Sequence, residues 1–116
     1  MYRSGFCEVG YLNDLNVVLV TWKQFCQGSN YRKPLLHALS LMRQNAGCNY
    51  VADTRSGFEN DPEDTKWLQE VFLQRAAETG CEHIFFIIDA DERLKTELEG
   101  QAVFLAHIFA SIIVIA

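Results

Sequence analysis

The 116-residue chain has no glycine-rich phosphate loop: neither G-x-G-x-x-G nor G-K-[ST] occurs in it. That removes the nucleotide folds that cradle phosphates on such a loop. Prolines number only two, and low-complexity tracts, charge blocks and linkers are missing, so residues 1–116 read as a single domain. Basic residues are few and scattered, ten Lys and Arg against fifteen Asp and Glu for a net charge of −5. Polyanion binding draws on clustered Lys and Arg, so nucleic acid is not an expected partner. The four cysteines, Cys7, Cys26, Cys48 and Cys81, form no C-x-x-C pair and have no His at zinc-finger spacing. Neither a metal site nor a disulfide scaffold is expected. They read as reduced, buried thiols of a cytoplasmic protein. No apolar run reaches the roughly 20 residues of a membrane span. The longest, Ala102 to Ala116, has fifteen and contains His107 and Ser111, while Met1 to Phe6 lacks a signal peptide's apolar core. Membrane insertion is therefore not expected.

What is present is core. Hydrophobic residues make up 49% of the chain, enough to build one sizeable interior. Phe6 to Leu12 and Asn16 to Trp22 are apolar runs joined by Asn13-Asp14, which predicts a β-hairpin. Val17-Val18-Leu19-Val20 is continuously apolar, as in a strand covered on both faces. Gly28-Ser29-Asn30 opens a helix to about Ala46, with Tyr31, Leu35, Leu39, Met42 and Ala46 as its buried stripe. Pro34 is expected in or near the first turn and Gly47 just past the end. Cys48 to Thr54 is the next strand. Asp61-Pro62-Glu63-Asp64 is the strongest local signal: a capping carboxylate, a proline at the first helical position, and acids at the positive end of the dipole. Leu68, Val71, Phe72 and Ala76 are the expected inner face of that helix, and Gly80 its stop. Glu82 to Asp89 forms a strand, Asp89-Ala90-Asp91 starts a third helix through Leu94 and Leu98, and Ile112 to Ile115 closes as a strand.

N-A-G-C-N-Y-V-A-D and E-T-G-C-E-H-I-F-F-I-I-D echo one another: helix end, Gly, Cys, apolar run, Asp. Two helix–strand units imply right-handed crossovers and parallel pairing. Cys48 and Cys81 would enter neighbouring strands at one level, and Asp53 and Asp89 would leave together at the carboxyl edge, where open α/β sheets usually hold ligands. The fold class is α/β: a small mixed, partly parallel sheet of about five strands with three helices packed mainly on one side.

Several residues together resemble a family. Thr21-Trp22-Lys23 with Phe25 leads to Tyr31-Arg32; Asp53 and Arg55 are followed by Pro62-Glu63-Asp64 and Trp67; Arg75-Ala76 and Gly80 precede a buried strand. The pattern, over about Val17 to Leu98, resembles small bacterial STAS-like or SEC14-like proteins with the anti-sigma-factor-antagonist (SpoIIAA-like) fold. The resemblance implies regulation or ligand carriage more than catalysis. In true antagonists a kinase-type partner phosphorylates a hydroxyl directly after an Asp. Asp53-Thr54 matches that motif, and Ser56-Gly57 matches its second half if Arg55 is an insertion. This helix, however, starts only at Asp61-Pro62, so a phosphate on Thr54 would lack the adjacent helix N-terminus.

Asp53, Thr54, Arg55 and Ser56 are thus the candidate phosphoacceptor loop, against a plainer reading as turn chemistry in which Thr54 and Ser56 tolerate Ala. Trp22, Phe25, Tyr31 and Trp67 are candidate lining for an apolar ligand, against a plainer reading as core. Asp53, Asp89 and Asp91 match no metal loop, and His37, His83 and His107 sit in no nucleophile motif. The chain reads as a non-enzymatic regulatory or interaction module without a cofactor, with a small carrier of an apolar or lipid-like ligand as the alternative. The apolar C-terminal segment points to a homodimer, and a regulatory protein partner is the other expected contact.

Overall fold

A computed structural model of the protein describes residues 1–56, 61–87 and 111–115. Its strands are β1 (Tyr2–Arg3), β2 (Cys7–Leu12), β3 (Val17–Trp22), β4 (Asn49–Asp53), β5 (His83–Ile87) and β6 (Ser111–Ile115). They form one mixed α/β sheet in sequence order, β1-β2-β3-β4-β5-β6. The first three pair antiparallel and the rest parallel. The two-residue β1 adds to the five strands expected. Helix α1 (Ser29–Gln44) links β3 to β4. Between β4 and β5 the chain is helical without a break from Pro62 to Glu78, as α2 (Pro62–Trp67), a π-helical stretch (Leu68–Phe72) and α3 (Leu73–Glu78). The expected third helix at Asp89 to Leu98 lies outside the described residues, as do Asp91 and His107.

Local chemistry places these elements. The hairpin loop ends at Asn16, at φ 53°, a left-handed geometry Asn tolerates, and Tyr11 donates its hydroxyl to Asn16 Oδ1 at 2.7 Å. Asp61 caps α2 by accepting from Glu63 N at 3.0 Å, with Pro62 at the first position. Both helical runs stop at left-handed glycines, Gly47 (φ 87°) and Gly80 (φ 91°). The two stops lie side by side, with Gly47 N donating to Thr79 O at 3.0 Å.

The core lies between the helices and one face of the sheet. Cys7, Val9, Val18, Val20, Tyr50, Ala52, Ile84 and Phe86 are buried there, against Leu35, Leu39, Met42, Phe72, Leu73 and others from the helices. On the opposite face Leu19, Val51, Phe85 and Ile87 remain partly exposed. The continuous apolar run Val17 to Val20, expected to be covered on both faces, is thus covered fully on the helical side while Leu19 stays half-open.

Four further expectations are corrected. Pro34 is not in the first turn but is the sixth residue of α1. A proline there withholds the N–H that would reach Asn30 O. Cys26 Sγ donates to that carbonyl instead, at 3.6 Å. The inner face of the second helical run is Leu68, Phe72, Leu73 and Ala76, with Val71 only partly buried. The π turn inserts an extra residue and rotates the following turns, bringing Leu73 inward. Helix α1 ends at Gln44, leaving Ala46 exposed beyond it. Finally, the G-C echo is out of register by one residue. Tyr50 pairs with Ile84, not His83, because one more residue separates Cys81 from the first buried position of its strand.

Candidate functional site

The carboxyl ends of β3 and β4 meet the N-termini of α1 and α2 at one edge of the sheet, where open α/β sheets usually hold ligands. Of the residues that carry the family resemblance, Trp22, Tyr31, Arg32, Asp53, Asp64 and Trp67 belong to these strand ends and helix starts, whereas Arg75, Ala76 and Gly80 lie toward the other end of the second helical run. Asp64, in the first turn of α2, is 2% exposed. Its Oδ2 accepts from Gly28 N, at the start of α1, at 2.8 Å, and its Oδ1 accepts from Arg32 Nε at 3.0 Å. One buried carboxylate therefore serves the positive ends of two helices, and α1 has no acid of its own in its first turn. Gly28 holds φ 62°, which turns its N–H toward Asp64 while its carbonyl accepts from Tyr31 N and Arg32 N. The Arg32 guanidinium lies 5.4 Å above the Trp67 ring.

The aromatic candidates pack against each other. Trp22 stacks on Tyr31 with centroids 5.0 Å apart and planes 16° from parallel; Tyr31 meets Trp67 edge-on at 6.5 Å; Trp67 continues to Phe72 at 6.3 Å, and Phe72 to Tyr50 at 5.3 Å. Trp22 and Tyr31 are 5% and 4% exposed, so their faces are spent on neighbouring rings. Phe25 stands apart from this ladder, 48% exposed in the loop before α1.

At the end of β4, Asp53 is gripped by Arg55 through two bonds, Nε to Oδ1 at 3.0 Å and Nη2 to Oδ2 at 2.8 Å, and accepts from Arg55 N at 3.2 Å. These bonds hold its carboxyl below the usual range, outweighing partial burial. Thr54 is 3% exposed, and both its N–H and its Oγ1 donate to Ile87 O at 2.9 Å. Its hydroxyl fastens the end of β4 to the end of β5 rather than bonding locally within a turn. Ser56 is exposed, as loop chemistry requires. Asp53 stands in register with Ile87, and Asp89 lies outside the described residues.

All four cysteines are buried free thiols. Burial pushes Cys7 up to about 12 and Cys81 up to about 11, and raises Cys26 and Cys48 as well. Cys26 lies close enough to Cys7, and Cys48 to Cys81, to add to the upward push on those two thiols. Among the described residues no three His, Cys, Asp or Glu side chains gather as a metal-ligand group, and no helix is long and apolar enough to cross a membrane.

Sequence reasoning picked out Tyr31-Arg32 and Pro62-Glu63-Asp64 as motifs but missed that Arg32 and Asp64 are partners. The signal was a basic residue in one first turn and an acid in another, and periodicity within either helix cannot join them. Comparison with protein-family models and with curated proteins finds no match to this chain.

Proposed function

We infer that this chain is a non-enzymatic interaction or regulatory module of STAS-like type. The observation that carries the reading is how the chemistry-bearing groups at the carboxyl edge are occupied. Asp64 is committed to Gly28 and Arg32, Asp53 to Arg55, and the Thr54 hydroxyl to Ile87 O. Such an edge is built for rigidity, and a rigid scaffold presenting surfaces to another protein is what an interaction module needs. The mixed sheet with helices against one face agrees with what the resemblance implies. Four buried free thiols support a reducing, cytoplasmic setting. A homodimer involving the apolar C-terminal segment, whose last part pairs as β6, belongs to the same reading.

The carrier alternative draws less support, because Trp22, Tyr31 and Trp67 contact one another rather than facing a void. Native mass spectrometry of freshly purified protein tests the reading: a dimer mass without a retained small molecule is expected. A stoichiometric apolar adduct, released on denaturation, would favour the carrier.

A further inference from the structure

The face of the sheet opposite the helices carries an apolar row that crosses it. The register aligns Gly10, Leu19, Val51 and Phe85 across β2, β3, β4 and β5 and continues to Ile113 of β6. Leu19, Val51 and Phe85 are all partly exposed, while the residues alternating with them are buried beneath the helices. Near-continuous apolar strands are typical of parallel sheets covered on both faces. The steps β3 to β4 and β4 to β5 run the same way and place α1 and the second helical run on one side. Among the described residues, the helices pack on that side alone.

We propose that this face is the docking surface for a second copy of the chain, packed sheet on sheet about a two-fold axis perpendicular to the strands. The proposal rests on the homodimer reading above and gives it a different centre. Charge selects the occupant and the axis. The chain carries −5, so most of its surface repels a second copy. On this face the acids are already paired: Glu8 with Arg3 at 3.2 Å and Lys23 at 3.0 Å, and Asp53 with Arg55 at 2.8 Å. The row Glu8–Thr21–Asp53–Ile87 flanks the apolar row on one side, and Leu12–Val17–Asn49–His83 flanks it on the other. A two-fold parallel to the strands would set Asp53 against its own copy. One perpendicular to them sets the acidic row against the Asn49–His83 row and brings each apolar residue over its counterpart.

Area sets the strength. Five strands about 4.8 Å apart and about 17 Å long give a footprint of roughly 400 Å². A standard interface takes about 800 Å² per partner. Met1 and Leu12, 80% and 39% exposed beside Gly10 and Leu19, extend it. Beside them Gly10 leaves a notch of about 90 Å³, which accepts a side chain from the facing copy. The dimer is therefore one that dissociates on dilution through the micromolar range.

Sedimentation equilibrium of the intact chain, Leu19→Lys and Val51→Thr provides the test, with far-UV circular dichroism to check folding. Val51→Thr nearly conserves shape and keeps the test valid if Leu19→Lys does not fold. A wild-type dimer weakened roughly tenfold or more by Val51→Thr, and abolished in folded Leu19→Lys, is expected. Val51→Cys should cross-link to itself with a short bismaleimide, and Ser56→Cys, in the turn beyond the end of β4, should not. A dimer indifferent to these substitutions would overturn this interface while leaving the homodimer reading intact. A wild-type monomer at high micromolar concentration would overturn both.

Discussion

Asp64 and Arg32, 32 residues apart in the chain, meet at 3.0 Å where two helices begin. The carboxylate is 3% exposed and the guanidinium 38%. That asymmetry decides what each contributes. Arg32 can rehydrate if its partner is lost, but Asp64 cannot.

Removing the two partners should therefore give unequal costs. Arg32→Ala leaves a buried carboxylate with Gly28 N as its remaining donor and should cost about 3 kcal/mol. Asp64→Asn keeps an acceptor for Gly28 N and should cost about 1–2 kcal/mol. Urea denaturation of both variants checks the order. If Asp64→Asn proves the more damaging, the carboxylate's charge does more than balance Arg32.

The two helix stops offer a second comparison. Gly47 and Gly80 both hold left-handed backbone, which costs an L-residue about 1–2 kcal/mol. A Cβ on Gly47 would meet nothing within 4 Å, whereas one on Gly80 would lie 3.3 Å from Gly47 N. Gly80→Ala should thus lower the unfolding free energy more than Gly47→Ala, with thermal melts of the pair as the measurement. Equal losses would mean the loops separate readily and the close approach carries no energy.

These stops were legible in the sequence because a glycine after a periodic apolar segment has one common use. The Asp61-Pro62 start was legible for the same reason, since the capping groups are adjacent in sequence. The hairpin followed from two apolar runs around Asn13-Asp14. Legibility failed wherever the deciding contact was distant or depended on phase. Nothing near Pro34 announces that Cys26 will take up the stranded Asn30 carbonyl. Spacing alone cannot reveal a π turn, so Val71 was assigned the inward position that Leu73 occupies. The Gly-Cys echo hid one added residue before Ile84, and a period of two makes such an offset a change of face. At the site, Trp22 and Tyr31 could be marked as large aromatics, but whether they line a space or fill it is a three-dimensional property.

The buried thiols predict how stability depends on pH. An unfolded cysteine ionises near 9.0, while Cys7 holds its proton to about 12 and Cys81 to about 11. Below pH 8 both states keep these protons and the thiols add no slope. Above pH 9 the unfolded chain releases protons that the native chain retains, so stability falls with rising pH. The slope approaches about 1.4 kcal/mol per pH unit for each such thiol. It ends near 11 for Cys81 and near 12 for Cys7. Unfolding free energies measured between pH 8 and about 10.5 should show this decline, shallower in Cys7→Ala. In the native state at pH 8 iodoacetamide should label the four thiols far more slowly than in urea. Rapid native labelling of Cys7 would contradict its burial.

Thr54 and Ser56, two residues apart, should respond in opposite ways to the same kind of change. The Thr54 hydroxyl donates to Ile87 O within a site that is 3% exposed, alongside the Thr54 N–H, which reaches the same oxygen. Thr54→Val keeps the shape and the backbone bond and deletes only the hydroxyl, so about 1 kcal/mol of stability should be lost. Thr54→Ala also removes a buried methyl and should cost about 2 kcal/mol. Ser56→Ala, at an exposed loop position, should stay within about 0.5 kcal/mol of the parent. The same contrast governs modification. A kinase must bring the acceptor hydroxyl into its own active site, and Thr54 can leave Ile87 O only if the ends of β4 and β5 separate. Ser56 needs no such opening. Phosphate mapped to Thr54 on folded protein, with the β4–β5 amides still protected from hydrogen exchange, would show that this end of the sheet opens far more easily than its bonds imply.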